Sequence, residues 1–190
     1  MKRLLLVLLV AFIAIPTFQA CKKGANDPAI SFKSRKARLC GDWTLKSGST
    51  TVVSGGSSTV YTYTGSTVSS SGGGSANYTE AMSIVKDGTF KYTIMNNGAS
   101  RVSEGQWYFM DGNKDKKIKD KEVVAFYETT ITYTPAGGTA SVSTYVGISP
   151  DYVWQLDELK SKEIIVLTDE SSTSGGSTST RNGTMTYEKK

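Results

Sequence analysis

The stretch Met82-Ser-Ile-Val-Lys-Asp-Gly-Thr-Phe-Lys-Tyr-Thr-Ile94 decides how the rest of the chain reads. Its two arms alternate apolar and polar residues, the period of a strand with one buried face. Between them, Asp87-Gly88 supplies the positive φ angles of a tight two-residue turn, after which Phe90, Tyr92 and Ile94 share one face. The stretch predicts an antiparallel hairpin.

Downstream, Asp151-Tyr-Val-Trp-Gln-Leu156 and Glu163-Ile-Ile-Val-Leu167 predict a second hairpin, whose second arm is apolar on both faces and so is packed on both sides or at a barrel closure. Short alternating runs between Gly/Ser/Asp-rich breaks predict further strands near 41–47, 59–65, 78–86, 89–96, 101–110, 122–128, 129–134, 141–147 and 183–188. No window carries a helical period beyond one turn at Ser34–Leu39. The fold class is all-β and antiparallel. Three stretches, Ser47 to Ala76, Ala136 to Ser143 and Ser171 to Thr180, are too rich in Ser, Thr and Gly to be core. The first reads as a floppy hairpin around Val60–Thr64, and the third as a mobile loop at a hairpin tip.

The N-terminus reads as an address. Met1-Lys-Arg3 is a positive head, Leu4 to Ile15 is apolar throughout, and Pro16 ends the run. A permanent span needs about 20 apolar residues, so this is the h-region of an export signal, with residues 1–20 removed. Phe18-Gln-Ala-Cys21 resembles a bacterial lipobox, which is cut just before its cysteine. The resemblance implies that Cys21 is the lipidated first residue of the mature chain, held at the outer membrane of a cell envelope by acyl chains, with the membrane face left open. Cys40 is the one other cysteine. With Cys21 acylated it has no internal disulfide partner and reads as a small buried hydrophobe.

The net charge of +5 belongs to the tether. Residues 21–38 hold six bases (Lys22, Lys23, Lys33, Arg35, Lys36, Arg38) against Asp27, whereas residues 39–190 hold 14 bases and 16 acids. A domain that binds nucleic acid carries its basic patch on the fold itself, so the charge gives no reason to expect that partner. A basic tether is attracted to anionic head groups.

Gly41-Asp-Trp43 opens the first strand of the domain at residues 39–190, and Gly105-Gln-Trp107 repeats the pattern at mid-chain. With the lipobox, the basic tether and a late Trp154-Gln-Leu156 strand, the layout resembles the lipocalin-like lipoproteins of Bacteroidota-type bacteria. That resemblance implies an up-and-down β-barrel with Gly41, Trp43, Gly105 and Trp107 as structural residues of its base. It also implies an arginine near the last strand stacked across the first tryptophan, for which Arg181 is the candidate. Core packing in another antiparallel fold is the alternative for both tryptophans.

The absence of histidine removes Ser-His-Asp and Cys-His catalysis and histidine-based metal sites together. Paired carboxylates of the glycosidase kind survive, but the spacing of Asp42, Glu80, Glu104, Asp151 and Asp157 sets no two of them face to face. A non-enzymatic protein is expected, with no cofactor. Two functions fit. One is a barrel holding a small hydrophobic ligand among Tyr, Phe and Ile side chains. The other is an interaction module whose Ser/Thr/Tyr-rich loops meet glycans or a protein partner.

One loop has the spacing of a calcium site. Asp111, Asn113, Asp115 and Glu122 fall at positions 1, 3, 5 and 12 of a twelve-residue run. Lys116 stands where that loop type needs glycine, and its lysines oppose a divalent cation, so a charged hairpin loop is the preferred reading. Calorimetric titration with calcium is expected to show weak binding or none. A micromolar site abolished by Glu122→Gln would reverse that reading.

Overall fold

The computed structural model describes residues 26–28, 31, 33–113, 115, 118, 121–147, 149–174 and 177–190. The export signal and Cys21 lie outside these residues. A one-turn helix, α1 (Arg35–Leu39), precedes eleven strands. These are β1 (Gly41–Ser54), β2 (Ser57–Tyr63), β3 (Thr67–Ser70), β4 (Ser75–Ile84), β5 (Thr89–Asn96), β6 (Ala99–Phe109), β7 (Val123–Thr134), β8 (Ser141–Thr144), β9 (Tyr152–Leu159), β10 (Glu163–Ser174) and β11 (Ser177–Lys189).

Every pairing is antiparallel, and the β6–β7 ladder closes the sheet on itself, so the fold is an antiparallel β-barrel compatible with a lipocalin-like one. Ten strands take part in the ring, with β8 as a side strand on β7. At the floor, where α1 sits, Gly41–Thr44 of β1 pairs directly with Ala81–Ile84 of β4, and eight strands suffice to close it. Higher up, β2 and β3 are inserted between β1 and β4, so the barrel widens away from α1. Consecutive ring strands are neighbours throughout, an up-and-down order.

Among the described residues the wall has one break. β9 pairs with β7 only over Val123–Phe126 and with β10 only over Ile164–Leu167. Above that level β7 pairs with β8 instead, and among the described residues Thr168–Ser174 of β10 has β11 as its only partner. A gap therefore separates β8 from upper β10.

Turn chemistry explains most connections. The Asp87-Gly88 turn differs from its sequence reading, since only Gly88 has positive φ (99°) and Gly88 N donates to Val85 O. It is a type I turn followed by a glycine bulge, with the Asp87 carboxylate accepting from both the backbone and the hydroxyl of Thr89. The tight two-residue turns are Gly55-Gly56 and Asn97-Gly98, each with positive φ at both positions and paired flanking residues.

The Ser/Thr-rich stretches also differ from expectation. Ser171–Ser174 and Ser177–Thr180 continue the β10–β11 ladder, and most of residues 47–76 lies in β1, β2 and β3. β-Branched threonine suits a pleated strand without any need for burial, and backbone pairing supplies the rest. The expected strands at 122–128 and 129–134 merge into β7 across a bulge opposite Glu104/Gly105.

The floor is a packed plug. Trp43 is 1% exposed, its indole N–H donates to Leu39 O at 2.7 Å, and Lys189 Nζ lies 4.8 Å from its ring centre. Lys189 Nζ also donates to Cys40 O at 2.6 Å and to Arg38 O at 3.2 Å. The cation stacked across the first tryptophan is thus Lys189, not Arg181, which lies 3.2 Å from the Tyr63 hydroxyl. Trp107 is likewise buried, its N–H donating to Val85 O at 2.9 Å. Gly105 permits the β6–β7 bulge, because a Cβ there would lie 1.9 Å from Tyr127 O. At Gly41, φ is 139° and a Cβ would meet the Lys189 stem at 2.2 Å. Cys40 is buried and free, and burial pushes its thiol above its ordinary pKa.

Part of the expected tether belongs to this plug. The Asp27 carboxylate accepts from Arg35 (2.8 Å), Arg38 (3.0 Å) and the backbone N–H of Leu159 (3.0 Å), and all three charged side chains are buried. Two of the six tether bases are therefore withdrawn from solvent.

Removing a fully buried tryptophan costs about 3–5 kcal/mol, so Trp43→Ala is expected to lower the unfolding free energy by that amount in urea. Asp27→Ala strands two buried guanidinium groups and is expected to cost about 3–5 kcal/mol as well. A loss below about 1 kcal/mol in either variant would contradict the packed floor.

Candidate ligand-binding cavity

Alternation along the ring strands turns a single set of residues inward. Near the floor these are aromatic and aliphatic: Phe90, Phe126, Trp154, Leu156, Ile164 and Val166 are all buried. Phe126 is the hub, 5.1 Å from Phe90, 5.0 Å from Tyr152 in a stacked arrangement, and 5.2 Å from Trp154. Trp154 in turn stacks on Tyr187 at 4.8 Å. Such contacts rigidify the lower half of the barrel.

Above this layer the barrel is hollow. A cavity of about 1060 Å³ is bounded by Tyr78, Glu80, Tyr92 and Tyr187 inside, and by Asp151, Thr168 and Glu170 at the gap. It continues over β9 to Met110, Val153 and Gln155. The missing upper half of β9 is thus the way in. This volume counts the interior together with the groove outside β9, against about 300–1,000 Å³ usual for a small-ligand site.

Its chemistry is more polar than the apolar interior expected from sequence. Glu80 is 5% exposed and accepts hydrogen bonds from three tyrosines, Tyr78, Tyr92 (2.7 Å) and Tyr187 (2.6 Å). A buried carboxylate without such donors would be strongly destabilising, and each hydroxyl given to a charged acceptor contributes about 1.5–3 kcal/mol. Burial, reinforced by Glu80, pushes the Tyr78, Tyr92 and Tyr187 hydroxyls above their ordinary pKa, so they remain donors. Burial, with Glu128 nearby, does the same to Tyr152.

Higher still, Arg101 binds Glu128 at 2.7 Å and Ser103 at 2.7 Å, and Arg181 joins Tyr63 to Glu170, the latter at 3.8 Å. Two buried polar atoms here have no partner, Glu128 Oε1 and the Tyr152 hydroxyl.

The other carboxylates singled out from sequence do not converge. Asp42 accepts from Ser83, Glu104 pairs with Lys91 at an exposed site, and Asp157 accepts from Asn26. Asp151 is at the gap, where it accepts from Glu128 N. In the Asp111–Glu122 loop, Asn113 and Ile118 exchange two backbone hydrogen bonds of 2.8 Å, a narrow bridge with Asp115 exposed at its turn. Among the described residues, no group of three or more Cys, Asp or Glu side chains could hold a metal ion.

Sequence reasoning missed Glu80 as a cavity residue, although a signal was present. Tyr78, Glu80, Met82 and Ile84 are in phase, so a strand that buries Met82 and Ile84 must bury Glu80 too. The same logic places Lys189 in phase with Met185 and Tyr187.

In the unfolded chain these tyrosines ionise near pH 10, roughly their reference value, whereas in the barrel they stay protonated. The folded state then holds more protons above that pH. Stability is fully present below about pH 10 and falls as pH rises beyond it. Tyrosinate absorbance is expected to appear late and to rise cooperatively with loss of β circular dichroism. Smooth titration of all ten tyrosines in a still-folded protein would contradict the buried cluster.

No known protein family, curated protein or solved structure matches this chain.

Proposed function

We propose that this protein is a non-catalytic binding protein, a lipid-anchored barrel of the cell envelope that takes a small ligand with an apolar body into its upper cavity. The observation that carries this reading is the cavity itself. A barrel with an eight-strand floor can be filled by its own side chains, yet this one is packed below and hollow above, with a break in the wall that leads into the hollow. The aromatic layer under the hollow offers the ligand's apolar part a preformed surface.

The anchor reading rests on Phe18–Cys21 and gains from the position of Asp27. With Asp27 fastened beneath the floor, the chain from Cys21 spans at most about 20 Å even if fully extended. A lipid on Cys21 would hold the floor near the membrane and leave the widened end pointing away.

A second reading has its own support. The β10–β11, β11–β1 and β1–β2 ladders stay paired out to Ser174–Ser177 and Ser54–Ser57, forming a four-stranded tongue rich in Ser and Thr. Such a surface suits contact with glycans or a protein partner.

Cys21→Ser is expected to release the protein from the membrane fraction in high salt, because Lys22 to Arg38 alone gives only a screened attraction. Retention of the variant would contradict the anchor. For the cavity, an apolar fluorescent probe is expected to bind saturably and quench Trp154, with quenching reduced in Trp154→Phe. Absence of saturable binding would favour the tongue as the working surface.

A further inference from the structure

The inward charges of the upper barrel do not balance. Arg101 is taken by Glu128 and Arg181 by Glu170, while Glu80 has no basic partner within ion-pair distance among the described residues. Its oxygens are met only by neutral hydroxyls. The gap adds Asp151, Asp169 and Glu170 to the cavity wall, against Arg181 as the one basic side chain among the described residues there. A deep carboxylate, an acidic way in and walls of aromatic rings make up a site for positive charge.

Resting on the reading of the cavity as a ligand site, we propose that its ligand is an organic cation, an ammonium group on a compact apolar or aromatic body. The cationic head would sit among the rings of Tyr78, Tyr92, Tyr152 and Tyr187, opposite Glu80. Ring faces attract such a head through their quadrupoles, and the attraction grows in a site shielded from water. A neutral ligand would leave Glu80 with hydroxyl donors and no counter-charge, and an anion would add a second negative charge beside it. The acidic rim acts earlier, concentrating cations at the gap.

One unpartnered atom points to a ligand independently of the charge count. The Tyr152 hydroxyl, on a residue that lines the cavity, has no hydrogen-bond partner. Buried polar atoms are almost always satisfied. A polar group carried by the ligand would give the Tyr152 hydroxyl a partner.

The test uses the full chain in detergent with three probes of similar size: benzyltrimethylammonium, its uncharged isostere neopentylbenzene, and phenylacetate. Affinities are read from tryptophan quenching. Benzyltrimethylammonium is expected to bind at least about tenfold more tightly than neopentylbenzene, with phenylacetate weakest. Glu80→Gln should bring the cation down to the affinity of the neutral probe, whereas Glu104→Gln, which removes an exposed carboxylate outside the cavity, should retain the preference. Equal or tighter binding of neopentylbenzene by the wild type would overturn the cation proposal and leave the cavity reading intact. So would a folded Glu80→Gln that kept the preference. Failure of all three probes to bind would overturn both readings. If Glu80→Gln does not fold, the order of the three probes on the wild type decides.

Discussion

Lys189 reaching over Trp43 is the contact on which the barrel depends. Its ammonium group meets the indole face and two backbone carbonyls, those of Arg38 and Cys40. Through it the end of the last strand holds both the start of the first strand and the helix before it. The seam between β1 and β11 is the only place where chain ends must find each other for the ring to close, so fixing it there fixes the register of the whole ladder. The cost is a partly buried ammonium whose pKa is lowered, chiefly by desolvation, with Lys33 adding to it.

Once the floor is closed, the inserted strands determine what the upper barrel can be. β2 and β3 enlarge the circumference away from α1, and the inward side chains there leave a cavity between them. The hollow follows from that geometry. Its polarity follows from Glu80, which the β4 alternation commits to the interior and which three tyrosines then have to satisfy. Rigid aromatic floor and polar chamber are thus two consequences of one strand pattern.

Much of this was legible in the chain. The alternation of Phe90, Tyr92 and Ile94, the apolar arm at Ile164–Leu167 and the two Gly-x-Trp repeats led to an antiparallel barrel, and the sheet is one. The Ser/Thr-rich arms were not legible as strands, because their order comes from backbone pairing with β1 and β11, and composition reports only that they are not core. The break beside β9 was hidden for a similar reason. It arises where β7 exchanges β9 for β8, a choice of partner that leaves no mark on local periodicity. The role assigned to Arg181 passed to Lys189 because the strand is longer than its apolar residues suggested, running to the penultimate residue.

The claim that the upper cavity is the working part of this protein is tested most directly by filling it. Thr168 lies on its wall at the gap, away from the floor contacts. In Thr168→Trp the added ring would occupy the hollow. The account predicts that the variant keeps its fold and thermal stability while losing saturable binding of an apolar fluorescent probe. Undiminished probe affinity in a folded Thr168→Trp would show that ligands bind elsewhere and contradict it.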